Sequence, residues 1–243
     1  MFLYTALGDS ITAGENATSP LHAYPSLVVS LLQSRSDSAA GEVLAQPGWT
    51  SEALEMAVLE NAPLYLRQAN AISVWVGGDD LLDGALSMLH GAPRQTLQRS
   101  LALYGRNIAG LVLAIRSVSR APVILCTQYN PFPNSPIATE AVDALNQITA
   151  GVSSRLGARL APVHTWFEGR QASLIAGYRS GRIEDALATA AVPLHPNNRG
   201  HRVVARGLLG MIGPPRIALR TASKSANSWW ILGHKQRGTL TQS

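Results

Sequence analysis

Short apolar runs alternate along this chain with longer amphipathic stretches, and the alternation is the feature that most constrains the fold. Five runs have the length and composition of buried strands: 2–7, 42–45, 71–76, 123–127 and 159–163. Five longer stretches favour helices: 22–34, 51–59, 94–119, 137–156 and 199–211. In the stretch 94–119 apolar residues recur at three- and four-residue steps, which gives a helix one apolar face. Strands that alternate with helices predict one parallel sheet with helices on both sides.

The composition is that of a single domain with a large core. Of the 243 residues, 46% are hydrophobic and 14% are charged. There is no run of eighteen or more uncharged apolar residues, and no basic region followed by an apolar segment at the N-terminus, so we expect a soluble, cytoplasmic protein without a membrane span. The one cysteine, Cys126, lies in the fourth predicted strand. We interpret it as a small core residue, and a single cysteine excludes an internal disulfide.

The positive charge of the chain is concentrated at its C-terminus. The formal net charge is +5, and five of the 20 Lys and Arg residues lie in 216–243, a segment without acidic residues. The other basic residues balance the 15 acidic residues of 1–215. A basic, Trp-containing arm for nucleic acid or a membrane is one interpretation of 216–243. We favour the other, a disordered or foreign extension of a domain formed by 1–215, and expect no nucleic-acid partner.

Two short clusters carry the residue types of nucleophilic catalysis. Gly8-Asp9-Ser10 follows the first predicted strand, where a sharp turn can hold a serine hydroxyl beside the N-terminus of the next helix. The tripeptide alone is also typical of an ordinary turn. A second cluster, from His195 to His201, supplies a base that titrates near working pH. We assign His201 a structural role within the last predicted helix. The remaining histidines lack metal-ligand spacing, so no metal is expected.

Four blocks occur in a fixed order: Gly8-Asp9-Ser10, then Gly48, then Gly77-Gly78-Asp79-Asp80, then His195-Pro196-Asn197 with Gly200-His201. Over nearly all of 1–213 this order and spacing resembles the GDSL, or SGNH, hydrolases. The resemblance implies a flavodoxin-like three-layer α/β/α fold, serine esterase or lipase activity on small-molecule or lipid esters, and no cofactor. It also implies that Ser10 is the nucleophile and His195 the general base. The backbone N–H groups of Ser10 and Gly48 would belong to the oxyanion hole.

The chain departs from the family pattern at an oxyanion-hole residue. Asp79 stands where the family has an asparagine whose side chain donates to the oxyanion. An ionised Asp79 donates no hydrogen bond, and losing one such donor costs on the order of a hundredfold to a thousandfold in rate. A protonated Asp79 can replace the amide, and both burial and the neighbouring Asp80 favour the neutral carboxyl. We therefore expect activity to grow toward acidic pH.

A second departure concerns the partner of the general base. Val192 lies three residues before His195, where the family usually has aspartate. An orienting carboxylate is worth about ten thousandfold in a serine triad. The sequence leaves three candidates open for the missing role: a backbone carbonyl, Glu184 and Asp185. Without a carboxylate, Ser10 and His195 would act as a dyad.

These departures support two alternative functions. The first is a slow or specialised ester hydrolase, which the intact Ser10, Gly48 and His195 blocks favour. The second is a binding protein that has kept the fold and lost the chemistry. Hydrolysis of simple esters that depends on Ser10 would separate them.

Overall fold

The computed structural model describes residues 1–35, 38–61, 64–89, 93, 95–186 and 192–212. Within these ranges the chain forms one five-stranded parallel sheet with strand order β2-β1-β3-β4-β5. The strands are β1 (Phe2–Gly8), β2 (Ala39–Ala45), β3 (Ala71–Trp75), β4 (Val123–Cys126) and β5 (Arg159–Ala161). The predicted flavodoxin-like sheet is confirmed, and only the strand bounds differ by a few residues.

The five predicted helices are also present, with similar bounds. In chain order the helices are α1 (Ser10–Ala13), α2 (Tyr24–Gln33), α3 (Ser51–Asn61), α4 (Leu64–Gln68), α5 (Gly78–Leu89), α6 (Gln95–Val118), α7 (Pro136–Leu156), α8 (Val163–Phe167), α9 (Gln171–Leu174) and α10 (Asn198–Ile212). The short helices α4, α8 and α9 have too few turns for a periodic signal. Helix α5 was not predicted either, because two glycines and two acidic residues stand at its start.

Helices cover both faces of the sheet, which confirms the three-layer architecture. Successive strand residues point to opposite faces. Tyr4 and Trp75 therefore lie in one core, against α2 and α10, whereas Leu7 and Val74 lie in the other, against α3, α6 and α7. All four side chains are at most 2% exposed. Cys126 is buried in the first core, as predicted.

Helix α6 is long and apolar enough to cross a membrane, alone among the helices that the structure describes. Length and composition are weak evidence for a span, because a core helix of a soluble protein meets the same criteria. One face of α6, which includes Tyr104, Ile108, Leu111 and Ile115, is buried in the second core. This buried face confirms the amphipathic helix predicted for 94–119.

The basic segment 216–243 lies outside the described residues, and its two interpretations stay predictions. In the segment that precedes His195, the described residues up to Ala186 contain α9 and a 3-10 turn at Ile183–Ala186, and the description resumes at Val192. A β-bridge joins Ile175, just after α9, to Pro196. This bridge ties the His195 segment to the domain.

Candidate active site

Three neighbouring strands end level with one another at the carboxyl edge of the sheet. Gly8 at the end of β1 pairs with Ala45 on one side and with Trp75 on the other. Ser10, Gly48 and Asp79 follow these three strand ends directly in the chain. Ligands of open parallel sheets bind at this edge. The fold therefore brings the predicted nucleophile and oxyanion residues to one place.

The turn that carries Ser10 depends on close contacts at Gly8. A Cβ at Gly8 would lie 2.2 Å from both the Trp75 carbonyl oxygen and Thr12 Oγ1, so only glycine fits. Asp9 then caps α1, and its Oδ1 accepts a hydrogen bond of 3.0 Å from the Ile11 N–H. Ser10 is the first residue of α1 and is 9% exposed.

The side chain of Asp9 is buried and has a structural role. Burial raises the pKa of Asp9 to about 8, the Ile11 N–H opposes this rise, and the charges of Asp79 and Asp80 add to it. Asp9 is therefore mostly neutral at pH 7. Its role is to hold the turn in place through the contact with the Ile11 N–H.

His195 lies against Ser10 although 185 residues separate them in the chain. The distance from His195 Nε2 to Ser10 Oγ is 2.9 Å. The backbone is fixed on both sides of the histidine, because the Ala176 N–H donates to the His195 carbonyl at 2.9 Å and the Tyr129 hydroxyl donates to the Leu194 carbonyl. Burial lowers the pKa of His195, which favours the neutral imidazole that a general base requires.

The residues after His195 start helix α10. The side chain of Asn197 accepts hydrogen bonds from the Arg199 N–H at 2.9 Å and the Gly200 N–H at 3.1 Å, as a helix cap does. A Cβ at Gly200 would lie 2.4 Å from the Leu174 carbonyl oxygen, so glycine is needed for α10 to pack this close. The block after His195 therefore has a structural role that positions the imidazole.

His201 is fully buried and hydrogen-bonded through both ring nitrogens. Its Nδ1 accepts from the Tyr24 N–H at 3.2 Å, and its Nε2 donates to the Glu15 carbonyl at 3.3 Å. Burial lowers the pKa of His201 to about 4, the hydrogen bond to the Glu15 carbonyl opposes this shift, and the charge of His195 adds to it. A neutral imidazole with both nitrogens occupied is not available as a base. The structural role predicted for His201 agrees with these contacts.

Gly48 lies in a turn that only glycine adopts easily. The Trp49 N–H donates to the Gln46 carbonyl at 3.2 Å, Pro47 precedes Gly48, and Gly48 has φ +81°, which are the features of a type II turn.

Asp79 is half-buried in the first turn of α5. A helix N-terminus favours an ionised carboxylate, which opposes the effect of the neighbouring acidic groups.

Asp80 joins the Gly48 loop to the Asp79 loop, a role that the sequence did not predict. Its two oxygens accept from the Ser51 N–H at 2.9 Å and from the Ser51 hydroxyl at 2.6 Å. Asn107 on α6 donates to the same hydroxyl at 3.1 Å. This buried link holds the starts of α3 and α5 together and so sets the spacing between Gly48 and Asp79.

Neither carboxylate predicted as a substitute acid is brought to His195. Asp185 accepts hydrogen bonds from the Ser180 N–H and hydroxyl and from the Gly181 N–H, all at 2.8–2.9 Å within its own turn. Glu184 is paired with Arg182 at 3.7 Å, and both side chains are more than 60% exposed. The carbonyl of Val192 accepts from the Leu194 N–H at 2.8 Å. Local contacts therefore hold both predicted carboxylates away from His195, and a backbone carbonyl stays a prediction.

The carboxylate that does contact His195 is Glu15, which sequence reasoning missed. Glu15 Oε2 lies 3.2 Å from His195 Nε2. Glu15 lies in the loop just after α1, close to Ser10 in the chain. Its only sequence signal is this proximity to Ser10, whereas the predicted substitute acids, Glu184 and Asp185, lie in the segment just upstream of His195. Across the described residues, no group of three or more His, Cys, Asp or Glu side chains is arranged to hold a metal ion.

Solved structures with the same fold include enzymes that act on esters. A lipase from a goat rumen metagenome superimposes with a TM-score of 0.72 at 21% identity, over 89% of this chain and 99% of the lipase. A variant of an acetyl-xylooligosaccharide esterase from Geobacillus stearothermophilus has a TM-score of 0.65 at 20% identity, over 87% and 94%. A lipolytic G-D-S-L family protein from Veillonella parvula has a TM-score of 0.60 at 15% identity, over 86% and 97%. At these identities the similarity shows the shared fold.

The sequence itself matches a family. No curated protein matches the chain in sequence. The model of the GDSL-like lipase/acylhydrolase family, however, matches residues 6–203, a range that includes Ser10, Gly48, Asp79 and His195. The chain therefore belongs to the GDSL-like lipase/acylhydrolase family and is a carboxylic ester hydrolase.

Proposed function

We propose that the protein cleaves carboxylic esters with Ser10 as nucleophile and His195 as general base. The observation that carries the proposal is the 2.9 Å contact between Ser10 Oγ and His195 Nε2. A serine hydroxyl is a weak nucleophile until a base removes its proton, and a neutral imidazole at this distance can do so.

The contact fits an acyl-enzyme route. Ser10 Oγ attacks the ester carbonyl carbon while its proton moves to His195 Nε2, and the carbonyl oxygen becomes an oxyanion. The N–H groups of Ser10 and Gly48 are the donors proposed for that oxyanion. Collapse of the intermediate breaks the bond to the alcohol oxygen, which takes the proton from Nε2. Water, activated by His195, then releases the carboxylic acid and restores the Ser10 hydroxyl.

Two features support a slow or specialised enzyme. Asp79 replaces an amide donor, and Val192 offers no carboxylate to the second ring nitrogen of His195. A missing carboxylate leaves the imidazole tautomer less well fixed. The two losses need not multiply, because groups that act as a unit are not additive.

We further propose that the natural substrate carries a small acyl group. One structural neighbour is an acetyl-xylooligosaccharide esterase and another a lipase. The acetyl esterase is the precedent for a small acyl group, and the pocket rather than the fold sets the preference. A comparison of p-nitrophenyl acetate with longer acyl esters measures this preference directly.

A covalent label tests the nucleophile. We expect a fluorophosphonate to add one phosphonyl group, at Ser10, because Oγ is activated by His195. Intact mass and peptide mapping measure the adduct. Ser117→Ala is the matched control, since Ser117 is an exposed helix serine that donates to the Ala114 carbonyl.

Absence of the adduct from Ser10→Ala and its presence in Ser117→Ala would support the proposal. Labelling at another residue would contradict the assignment of Ser10. No labelling, together with no ester hydrolysis between about pH 5 and 9, would favour the binding protein that has lost the chemistry.

A carboxylate at position 192 should increase the rate. We expect Val192→Asp to raise kcat/KM for p-nitrophenyl acetate by about tenfold, because a triad carboxylate orients the imidazole and stabilises its charge. We expect a smaller gain in kcat/KM than a triad acid gives, because the wild-type loop is not arranged to hold a carboxylate at position 192. Val192→Asn is the matched neutral variant. An equal gain in both variants would show that charge at this position is unimportant.

A further inference from the structure

His195 Nε2 has two partners in the structure. Ser10 Oγ lies 2.9 Å from it and Glu15 Oε2 lies 3.2 Å from it. In a serine triad the carboxylate contacts the opposite nitrogen, Nδ1. Glu15 therefore lies on the side of the ring where proton transfer takes place.

The backbone of Glu15 is fixed on both sides. Its N–H donates to the Ser10 carbonyl at 3.0 Å, and its carbonyl accepts from His201 Nε2 at 3.3 Å. The flanking residues Gly14 and Asn16 have φ +94° and +60°, left-handed conformations that turn the chain sharply. The segment that places Glu15 is therefore anchored to both the Ser10 turn and a buried histidine.

The loop is also attached to helix α10, which follows His195. The Thr18 N–H donates to Asn198 Oδ1 at 3.0 Å, and Asn198 Nδ2 donates to Thr18 Oγ1 at 2.8 Å. The loop that carries Glu15 and the segment that carries His195 are thus joined by a pair of hydrogen bonds. These two hydrogen bonds hold the Glu15 carboxylate near the His195 imidazole independently of the direct contact between the two side chains.

We propose that Glu15 is a positioning residue that stabilises the imidazolium of His195 during ester cleavage and so takes over part of the role of the carboxylate absent at Val192. The inference rests on the proposed function of Ser10 and His195. Glu15 differs in place from a triad carboxylate: it lies far before His195 in the chain and contacts Nε2, not Nδ1.

The contact stabilises one protonation state of the imidazole more than the other. When His195 is neutral and Nε2 is unprotonated, Nε2 accepts a hydrogen bond from the Ser10 hydroxyl, and its lone pair is repelled by the Glu15 carboxylate. After the proton moves, the Nε2–H is positively charged and can donate to Glu15 as well as to the leaving oxygen. An interaction that strengthens as charge develops lowers the barrier and not only the energy of the bound substrate.

The charges around His195 favour this role. Burial lowers the pKa of His195, and the negative charge of Glu15 raises it in part. His201 also faces His195, but it is uncharged at neutral pH because its own pKa is about 4. Besides burial, the negative charges of Asp79 and Asp80 raise the pKa of Asp9. The Glu15 carboxylate lies at ion-pair distance from His195.

Exposure sets the size of the expected effect. The Glu15 side chain is 42% exposed and that of His195 is 18% exposed. Solvent screens a pair of this kind, so its contribution is smaller than that of a buried triad carboxylate. We expect Glu15→Gln to lower kcat/KM by roughly five- to tenfold, as a partly screened charge pair would.

The pH profile separates this role from a merely structural one. Loss of the Glu15 charge removes an interaction that favours protonated His195, so the neutral base persists to lower pH. Glu15→Gln should therefore move the acid limb of kcat/KM to lower pH while the plateau falls. NMR titration of the His195 imidazole should show the same direction of change without any substrate.

Two further variants complete the test. Glu184→Gln, which removes an exposed carboxylate paired with Arg182, should leave both the rate and the acid limb unchanged. In a Val192→Asp background, Glu15→Gln should cost much less, because a second carboxylate then stabilises the imidazolium. An acid limb and an NMR titration that do not move in Glu15→Gln would overturn the proposal. So would an equal loss in both backgrounds.

Failure of this inference is distinguishable from failure of the proposed function. If Ser10 is labelled by the fluorophosphonate and the His195 titration does not respond to Glu15→Gln, only the role of Glu15 is wrong. If Ser10 is neither labelled nor needed for turnover, the proposed function is wrong whatever the titration shows.

Discussion

Ser10→Ala should lower kcat for p-nitrophenyl acetate by about 10³- to 10⁵-fold, because the substitution removes the atom that attacks the ester. Loss of the nucleophile in a complete serine triad costs more than this. Here the loss is limited because the wild-type protein already lacks an amide at Asp79 and a carboxylate at Val192. The measurement is steady-state hydrolysis from about pH 5 to 9.

The same variant should stay folded. Ser10 Oγ contacts His195 and is not part of the hydrophobic core, so its removal should change the free energy of unfolding by only about 1 kcal/mol. Thermal unfolding of Ser10→Ala beside Ser117→Ala checks this. Hydrolysis that continues unchanged in a folded Ser10→Ala would show that another group attacks the ester.

Asp79→Asn should raise kcat at pH 7–8 by about tenfold to a hundredfold. An asparagine amide donates to the oxyanion at every pH, whereas a carboxyl donates only when protonated. Asp79 lies in the first turn of α5, where the helix dipole favours the ionised form that cannot donate. Steady-state kinetics across pH measure the gain. Asp143→Asn, at an exposed position on α7, is the matched control.

The pH dependence gives a second readout for Asp79. In the wild-type protein, kcat should rise as pH falls, because more of the Asp79 carboxyl is protonated, until protonation of His195 removes the base. Asp79→Asn should abolish that rise and keep only the limb that belongs to His195. If Asp79→Asn instead loses activity while remaining folded, Asp79 has an active role in the reaction.

Glu15 and a carboxylate introduced at position 192 would act on opposite nitrogens of the His195 ring. A carboxylate on Nδ1 fixes the tautomer and stabilises the charge, whereas Glu15 on Nε2 can only do the second. This difference predicts that Val192→Asp will improve the wild-type protein even though Glu15 is present. The proposed role of Glu15 would let His195 act as a general base without a carboxylate at position 192.

The geometry of the oxyanion residues rests on a buried link that is distant from the catalytic pair. Asp80 accepts two hydrogen bonds from Ser51 and so joins the loops that carry Gly48 and Asp79. In the sequence, Asp80 is noticeable only as a charge beside Asp79. Its partner, Ser51, lies 29 residues away at the start of α3.

The amino-acid sequence alone determined the architecture, and its resemblance to a known family led to Ser10 and His195 as the proposed reacting groups. Periodicity is a local property, so the strand runs and the helix 94–119 predicted the parallel sheet and the buried face of α6. Ser10 and His195 could be proposed because each lies in a short motif, and the backbone of both motifs is fixed by nearby glycines and caps. Gly8 and Gly200 are needed for close backbone contacts that no other residue allows.

Only the tertiary structure decided which carboxylate contacts His195. The sequence offered Glu184 and Asp185, but hydrogen bonds within their own turns, and the pair with Arg182, hold them elsewhere. Glu15 reaches the imidazole because two left-handed residues turn its loop back over Ser10 and buried His201 holds its carbonyl. Side-chain direction in such a loop depends on contacts between residues far apart in the chain, and local sequence patterns carry no information about those contacts.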